Sequence, residues 1–533
     1  MTPAQSFQIE GVVVRAPLMV PLMIGAMKGW RRALLLVILG ALAALALPPV
    51  GFIPVLFVSL PGLVWAWAGS SRAKRAGLAG FWWGLGFYSA GIYWIAYALM
   101  TDPEKFAWMI PFATVGLGAV MASFTGLCTA AAFAVAGRLK LSVLGRVIWL
   151  AILWTVSEWL RTFVFTGFPW NPLASVWDAV PALAQGAALF GTHGLSFVTF
   201  LGFGLLAVAP MMERPRGRAA VALAAVALTV GLGGWGAWRL SHDRGEMVPG
   251  VTLRLVQPVV DQADKWRNDL REQTFVSMIK MSRAPGFENL TAVIWPETAA
   301  LFPLDTDGAH RSLAALAAPP GGLLLAGAPR IRQPEPGHWQ FWNSMIAVDG
   351  LGVVKGIYDK AHLVPFGEYV PLRGVLPLPR VVISAGDFSP GPGPRSLSLP
   401  GLPEVGPLIC YESIFPAGVI DPAGPRPKWL LVITNDGWFG QSAGPYQHLV
   451  ASKARAIEQG IPVIRSANTG ISAVIDSYGH VVSELGLGQK GILDIPLPRE
   501  LPSITPYARF GDKAVFLLLV LAGLAATMLG KYD

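Results

Sequence analysis

Three short apolar segments in the second half of the chain each end in a side chain that can take part in acyl or amide chemistry. Glu297 ends the run Trp-Pro-Glu, Lys360 ends Tyr-Asp-Lys, and Cys410 ends Leu-Ile-Cys. A cysteine nucleophile needs a partner that removes its proton or lowers its pKa. A carboxylate can act as that base and later return the proton, and an ammonium can neutralise a developing oxyanion. The three segments therefore predict one site with Cys410 as nucleophile, Glu297 as base and Lys360 as charge partner.

Each of these side chains also has a structural interpretation. Cys410 could be a small core residue, since free cysteines are among the most buried side chains, and Glu297 and Lys360 could be surface charges at strand ends. The other of the two cysteines, Cys128, falls in a predicted membrane span, so no disulfide is expected. A nucleophile, a base and a cation at three strand ends favour the catalytic interpretation, because open α/β sheets usually carry their chemistry there.

The elements that must position these residues follow an α/β pattern. From residue 251 onward, short β-branched segments alternate with helical ones, which is typical of a layered α/β domain. Two neighbouring segments flank Asp349-Gly350 and predict a hairpin, so the sheet is expected to be mixed. The predicted helices are 264–283, 306–318 and 445–459. The predicted strands are 251–260, 291–297, 322–330, 344–349, 353–360, 407–412, 429–435, 462–467, 472–476 and 491–495.

The first half of the chain has the composition of a membrane domain. Charged residues make up 14% of the chain and hydrophobic residues 53%, whereas soluble proteins carry about 25% charged residues. Runs of roughly 17–25 apolar residues can cross a bilayer as a helix. We therefore predict a polytopic α-helical membrane domain with about eight transmembrane helices. The predicted spans are 33–48, 52–69, 77–100, 107–136, 147–163, 190–212, 219–240 and 514–530.

Basic residues give the predicted orientation. Clusters of Lys and Arg precede the first span and occupy every second loop after it, while the alternate loops carry few. By the positive-inside rule, the N-terminus and the basic loops face the cytoplasm. Seven crossings then place residues 241–512 outside the cytoplasm, and the eighth returns the C-terminus. The basic clusters are 28–32, 72–75, 138–146 and 214–218.

The sequence divides into four predicted parts. Residues 1–27 form an N-terminal lead that is expected to be disordered or to precede the true start, and it lacks the long apolar run of a signal peptide. Residues 28–240 form the membrane domain with seven transmembrane helices. Residues 241–512 form the extracytoplasmic α/β domain, and residues 513–533 form the final transmembrane helix.

Several other functions are not supported. The net charge of +9 is spread over short clusters without interleaved aromatics, so nucleic-acid binding is not expected. The seven histidines are scattered, no His-Glu-x-x-His motif occurs, and two cysteines cannot build a zinc cluster, so no metal or other cofactor is expected. A Gly-x-Ser-x-Gly motif is also absent. The glycine run 231–236 has dinucleotide-motif spacing but lies in an apolar span, which favours helix packing.

Longer motifs around the three residues resemble a known family. They are residues 358–371 (YDKAHLVPFGEYVP), 409–412 (ICYE) and 434–440 (TNDGWFG). Together with Trp-Pro-Glu, they resemble the Glu-Lys-Cys triad of the nitrilase, or carbon-nitrogen hydrolase, superfamily. Seven predicted spans, one extracytoplasmic domain and one final span resemble bacterial apolipoprotein N-acyltransferases over nearly the whole chain. This resemblance implies that the α/β domain is a nitrilase-like αββα sandwich.

The resemblance also implies a two-step acyl transfer at the bacterial inner membrane, with the catalytic domain on the periplasmic side. Cys410 would attack the sn-1 ester of a phospholipid, such as phosphatidylethanolamine, to give a thioester and a lysophospholipid. The α-amino group of the diacylglyceryl-modified cysteine of an apolipoprotein would then take the acyl chain as an amide. This amide formation is the last step of lipoprotein maturation.

Further site residues are implied by the same resemblance. Glu368 matches an additional essential carboxylate, and Tyr411 and Glu412 flank the nucleophile. Trp266 falls where the family keeps a tryptophan on a mobile loop over the site, although it could equally be a half-exposed helix residue. Trp438 lies in an apolar loop that could exclude water from the thioester.

Two other functions remain open from the sequence. A membrane-anchored nitrilase-type amidase would use the same triad and pass its thioester to water, although eight spans exceed what an anchor needs. A transporter with an extracytoplasmic sensing domain would carry charged groups inside its spans, where Glu158 and Arg161 are almost the only ones. The aromatic loop 165–172 is expected to form an interfacial belt, and its alternative role is to line a lipid-accessible cavity.

Overall fold

A computed structural model describes residues 6–9, 12–15, 19–243, 245–262, 264–265, 267–371 and 387–529 of the 533-residue chain. The chain forms two compact units. One is helical and comprises Met1–Tyr93, Pro111–Ser241 and Phe510–Asp533. The other is an α/β unit that comprises Trp94–Ile110 and His242–Arg509.

The described α-helices are numbered in chain order. They are α1 (Met19–Ala26), α2 (Gly29–Ala43), α3 (Leu56–Ala68), α4 (Ala73–Gly91), α5 (Ile95–Leu99), α6 (Pro103–Phe106), α7 (Leu117–Arg138), α8 (Val143–Leu160), α9 (Pro181–Ala184), α10 (Ala187–Val208), α11 (Pro215–Leu240), α12 (Asn268–Ser282), α13 (Gly308–Ala315), α14 (Ala443–Gln459), α15 (Pro506–Phe510) and α16 (Asp512–Leu529).

The helical unit has the apolar helices of a membrane protein. Six helices in the described part of the chain are long and apolar enough to cross a bilayer, and each overlaps a predicted span. The predicted span 52–69 is a shorter apolar helix, Ile53–Ala68. The membrane domain is therefore confirmed, while the predicted count of eight spans is not. The six helices are Gly29–Ala46, Phe112–Arg138, Val143–Leu160, Ala187–Met211, Pro215–Leu240 and Asp512–Leu529.

Glycines let α4 pack closely against α2. A methyl group at Gly40 of α2 would lie 1.9 Å from the carbonyl oxygen of Trp83, and one at Gly86 of α4 would lie 2.0 Å from that of Val37. Helices inside membranes approach each other through such small residues. The many glycines of α4 reflect this packing.

The predicted span 77–100 ends earlier than expected, because its last part belongs to the α/β unit. Helix α4 ends at Gly91, and the segment Trp94–Ile110 clusters with the α/β unit. The indole Nε1 of Trp94 donates a hydrogen bond of 3.0 Å to Gln447 Oε1, and its ring lies 4.5 Å from that of Phe439. An aromatic side chain thus buries its apolar body and satisfies its polar edge without lipid.

Buried charges hold the aromatic loop that follows α8. Arg161 Nη1 donates to the Trp170 carbonyl at 2.9 Å, and Glu158 Oε1 accepts from the Leu173 amide at 2.9 Å. Trp170 is buried, whereas Phe165 is 79% exposed. The loop is therefore divided between a packed part and an exposed aromatic. The two charges that a transporter would need have this structural role.

Two short strands near the N-terminus and two larger sheets make up the β-structure. In the predicted lead, β1 (Ser6–Ile9) and β2 (Val12–Arg15) pair antiparallel, while residues 1–5, 10–11 and 16–18 lie outside the described residues. The other strands are β3 (Met247–Gln257), β4 (Ala292–Ile294), β5 (Leu323–Glu335), β6 (His338–Asp349), β7 (Val354–Asp359), β8 (Val405–Ile409), β9 (Trp429–Thr434), β10 (Val463–Ala467), β11 (Ser472–Ile475), β12 (Val481–Leu485) and β13 (Gly491–Pro498).

The two sheets of the α/β unit are both mixed, as the sequence predicts. The six-stranded sheet has the order β13-β3-β4-β5-β6-β7, and the five-stranded sheet has the order β12-β11-β10-β9-β8. The pairs β3–β4, β4–β5, β8–β9 and β9–β10 are parallel, and the remaining neighbours are antiparallel. The predicted hairpin across Asp349-Gly350 is confirmed as β6–β7.

Four layers form the αββα sandwich implied by the family resemblance. In β5, Leu323 and Leu325 point into a core shared with the five-stranded sheet, while Leu324 and Ala326 point outward against α12 and α13. This alternation follows from the two-residue period of a strand. Helix α14 covers the outer face of the five-stranded sheet.

A glycine in β5 leaves room for the chain that carries Glu297. A methyl group at Gly327 would lie 2.3 Å from the Pro296 carbonyl oxygen and 2.7 Å from the Glu297 Cα.

Gly327→Ala should displace this segment and lower the free energy of unfolding by about 1–3 kcal/mol, the usual cost of overpacking. Thermal unfolding in detergent measures the effect. Gly350→Ala is the matched control, because nothing lies within 4 Å of its Cβ; equal melting temperatures for the two variants would contradict the prediction.

Candidate active site

Cys410 lies at a sharp turn at the end of β8. The strand ends at Ile409, three residues before the predicted end, and a 3-10 helix runs from Cys410 to Ile414. Cys410 has φ +53°, in the left-handed region that costs a non-glycine residue about 1–3 kcal/mol and is common at functional sites. The side chain is buried. The turn presents the thiol at the end of the strand, as the sequence predicts for a nucleophile.

Lys360 lies between two carboxylates. Its Nζ is 3.5 Å from Glu297 Oε1 and 3.0 Å from Glu368 Oε2, and it donates a hydrogen bond of 3.0 Å to Glu368 Oε1. Lys360 is 1% exposed, so its charge depends on these partners rather than on water. The structure therefore brings the predicted residues Glu297, Lys360 and Glu368 into one cluster.

Two asparagines that sequence reasoning missed complete the carboxylate contacts. Asn343 Nδ2 donates to Glu297 Oε1 at 2.6 Å and to Glu368 Oε1 at 2.9 Å. The Asn435 amide N–H donates to Glu297 Oε2 at 2.9 Å. The sequence signal for Asn343 was a polar residue directly before a predicted apolar strand, and Asn435 lies inside the quoted motif 434–440. These donors keep Glu297 in one orientation.

The charges of the cluster act on the thiol in opposite directions. Burial, and next the nearby Glu297 carboxylate, raise the pKa of Cys410 to about 12, although Lys360 works against them. Burial alone would lower the pKa of Lys360, but Glu368 and Glu297 outweigh it and raise that pKa. At neutral pH the resting site therefore holds a protonated thiol beside a charged ammonium. A thiolate forms only when a base takes the proton.

Lys265 is a second buried lysine at the site, and it was not among the predicted residues. Its Nζ donates to the Glu297 carbonyl oxygen at 3.1 Å and to Thr298 Oγ1 at 2.5 Å. Burial lowers the pKa of Lys265 to about 8, and the charges of Glu297 and Cys410 oppose this shift. Thr298 has φ +44°, so Lys265 stabilises an unfavourable turn directly after Glu297.

Glu412 ties the nucleophile's turn to the segment that carries Lys360. One carboxylate oxygen accepts from the Ile409 amide at 2.7 Å. The other accepts from the amides of Ala361 and His362 at 2.7 and 3.1 Å. Tyr411 is buried and packs edge-to-face against Phe415. Both predicted flanking residues thus belong to the packed frame of the site.

The two predicted lid tryptophans differ in what the structure describes. Trp438 lies half-buried in the 3-10 turn Asp436–Phe439, directly before Phe439, whose ring packs on Trp94. Trp266 lies outside the described residues. The lid role of Trp266 stays a prediction.

A separate group of metal-ligating side chains lies elsewhere in the α/β unit. Among the described residues, Asp243, Asp476 and His480 have ligand atoms within 4.8 Å of one another. His480 Nδ1 is 3.2 Å from Asp243 Oδ2 and 3.3 Å from Asp476 Oδ2. The imidazole and carboxylates already pair, and none of them belongs to the cluster around Cys410.

Comparison with known proteins finds relatives along both units. Residues 39–205 match the apolipoprotein N-acyltransferase N-terminal domain, and residues 256–504 match the carbon-nitrogen hydrolase family. The apolipoprotein N-acyltransferase of Bradyrhizobium diazoefficiens is 41% identical over 93% of this chain and 95% of its own. That of Rhodopseudomonas palustris is 39% identical over 92% and 94%. Among solved structures, an amidase from Nesterenkonia sp. is similar at 20% identity and TM-score 0.35, over 52% of this chain and 99% of that chain.

The raised pKa of Cys410 gives a testable pH dependence. Alkylation by iodoacetamide follows the thiolate, so its rate at Cys410 should still rise at pH 10, whereas an ordinary thiol levels off above about pH 9. Glu297→Gln removes a charge that raises this pKa. The pH midpoint of alkylation should therefore move to lower pH in Glu297→Gln, by about one pH unit if the pKa falls by one unit.

Peptide-resolved mass spectrometry separates Cys410 from Cys128. The exposed Glu288 provides the matched control, since Glu288→Gln should leave the profile unchanged. A wild-type plateau below pH 9, or a pH midpoint in Glu297→Gln that equals or exceeds that of the wild type, would contradict the described electrostatics.

Proposed function

The chain belongs to the apolipoprotein N-acyltransferase family, and on that premise we propose that Cys410 carries an acyl chain from a phospholipid to the N-terminal cysteine of lipoproteins. The acceptor is the α-amino group of a diacylglyceryl-modified cysteine, and the product is an amide. The observation that carries the proposal is the buried cluster at the Cys410 turn, in which Lys360 contacts the carboxylates of Glu297 and Glu368.

The first step forms a thioester. Glu297 takes the proton from Cys410 Sγ as the sulfur attacks the sn-1 carbonyl carbon of a phospholipid such as phosphatidylethanolamine. The carbonyl oxygen becomes an oxyanion, which the Lys360 ammonium neutralises. The ester C–O bond then breaks, and Glu297 returns its proton to the leaving lysophospholipid oxygen. The acyl chain stays on Cys410.

The second step transfers the chain to the lipoprotein. The α-amino nitrogen attacks the thioester carbonyl, and Lys360 again faces the oxyanion. Glu297 takes one proton from the attacking amine and gives it to the departing Cys410 sulfur. The C–S bond breaks, an amide remains, and the thiol is restored. The lysophospholipid leaves before the amine attacks the thioester, so the proposed reaction follows a ping-pong sequence.

Charge balance explains how a thiol with so high a pKa can react. The buried cluster holds two ammoniums, Lys265 and Lys360, and two carboxylates, Glu297 and Glu368. Moving the proton from Cys410 to Glu297 leaves the net charge of this group unchanged. Since creating net charge in a low-dielectric interior is the costly event, an internal proton transfer avoids it. Glu368 holds Lys360 in position through its ion pair, and Asn343 holds both carboxylates through its side-chain hydrogen bonds.

The apolar helices make this chain a membrane protein, and a membrane site suits two lipid substrates. We further propose the bacterial inner membrane, with the α/β unit on the periplasmic side and both termini in the cytoplasm. The alternating basic clusters support this orientation. The amidase alternative, in which water takes the acyl chain, is not favoured, because the named relatives match the membrane unit as well as the α/β unit.

Trapping the acyl-enzyme tests the proposal. Purified protein is mixed with phosphatidylethanolamine carrying a labelled sn-1 chain, without an acceptor. The wild type should release about one equivalent of lysophospholipid per enzyme and carry the label on the Cys410 peptide, because the thioester waits for an amine. Cys410→Ala should do neither, whereas Cys128→Ser should behave as the wild type. A label on another residue, or lysophospholipid release by Cys410→Ala, would contradict the mechanism.

A further inference from the structure

Behind the Cys410 turn lies a buried polar network that the acyl-transfer steps do not use. It consists of His448 in α14, Asp436 in the turn after β9, and Arg465 in β10, and all three side chains are almost completely buried. Buried charges and imidazoles are costly unless each has a partner. Burying these three polar side chains is costly, and this cost indicates that the network positions a neighbouring group.

His448 contacts the backbone of the nucleophile itself. Its Nε2 lies 3.1 Å from the Cys410 carbonyl oxygen and 3.0 Å from Ser413 Oγ. A carbonyl oxygen can only accept, so Nε2 must carry a hydrogen and donate it. Ser413 Oγ donates to the same carbonyl at 3.0 Å. Two donors from different elements thus fix the direction of the peptide that follows Cys410.

The rest of the network determines the orientation of the His448 ring. Arg465 Nη2 lies 2.6 Å from Asp436 Oδ2 and 3.1 Å from His448 Nδ1, and Asp436 Oδ1 lies 2.9 Å from the same Nδ1. Burial and the Arg465 charge lower the pKa of His448. Nδ1 faces both a donor, Arg465 Nη2, and an acceptor, Asp436 Oδ1, whereas Nε2 faces the Cys410 carbonyl oxygen, so the contact that defines the role of Nε2 is the one to Cys410. A second proton would go to Nδ1, beside Asp436, so Nε2 donates in either state.

A second part of the network lies near the sulfur. Thr434 Oγ1 donates to Asp436 Oδ1 at 2.9 Å, and the Thr434 side chain is close enough to the Cys410 thiol to lower its pKa against the effect of burial. The network therefore contacts the Cys410 carbonyl and lies near its side chain. Cys410 has an unfavourable left-handed backbone that must be stabilised by its surroundings.

We infer that His448, oriented by Asp436 and Arg465, is a positioning residue that directs the Cys410 sulfur toward Glu297 through a hydrogen bond to the Cys410 carbonyl. The inference rests on the proposed function, because its test measures the rate at which the acyl-enzyme forms. Without the donor, the peptide after Cys410 can rotate and the sulfur leaves its attack position. A misplacement of about 1 Å can cost about 100-fold in rate.

Two variants of similar size isolate the donor. His448→Gln keeps an N–H group near the position of Nε2, and His448→Met has none. Acyl-enzyme formation from labelled phosphatidylethanolamine is measured by rapid quench at several phospholipid concentrations. His448→Met should lower the maximal rate by about 100-fold relative to the wild type, and His448→Gln should recover most of that loss. Half-saturating phospholipid concentrations and melting temperatures should be alike in the two variants.

The outcomes separate this inference from the proposed function. If the wild type forms no acyl-enzyme on Cys410, the proposed function fails. If the wild type forms it and the Gln and Met variants react at equal rates, the positioning role of His448 is overturned. Should both variants fail to fold, Ser413→Ala removes the other donor to the same carbonyl. It should slow acylation by about fivefold, the equivalent of one hydrogen bond of about 1 kcal/mol. An unchanged rate would show that hydrogen bonds to this carbonyl do not position the sulfur, which overturns the inference.

Discussion

The contact on which the rest of the site depends is the one between the buried Lys360 ammonium and its two carboxylates. An isolated ammonium is costly in a protein interior, and so is an isolated carboxylate. Glu297 and Glu368 offset the desolvation cost of the buried Lys360 ammonium, and Lys360 offsets that of the two carboxylates. Removing Lys360 would leave two buried carboxylates without their cation, and breaking a buried ion pair typically costs about 3–5 kcal/mol. The same arrangement provides a base and a cation where an acyl carbonyl has to bind.

The αββα sandwich is what brings these charges together. Glu297 follows a strand of the six-stranded sheet, and Cys410 follows an edge strand of the five-stranded sheet. Their meeting depends on the packing of two sheets whose strands are far apart in the sequence. Glu412 links the two sheets at this point, since its carboxylate accepts hydrogen bonds from the amides of Ala361 after β7 and Ile409 in β8. Small rigid features, such as Gly327 behind Glu297, set the remaining geometry.

Local patterns in the sequence predicted much of this architecture. Apolar runs of bilayer length predicted six of the spans, and strand–helix alternation predicted the mixed α/β domain. Cys410, Glu297 and Lys360 could be identified because each ends an apolar strand. The early end of the span 77–100 could not, because hydropathy does not distinguish an aromatic in lipid from Trp94 packed on Phe439. Asn343, Lys265 and His448 were missed for a related reason: each acts through tertiary contacts with a distant segment, and the residue alone has no local signature.

One acyl chain is proposed to rest on Cys410 between the two lipid substrates, and a single-turnover chase follows that chain. Enzyme carrying a labelled acyl chain is separated from phospholipid and then given either buffer or a diacylglyceryl-cysteinyl peptide with a free α-amino group. In buffer the label should stay on the enzyme, and with the peptide it should move in one exponential phase to the peptide amide. Release of the label as free fatty acid at the same rate with and without the peptide would contradict it.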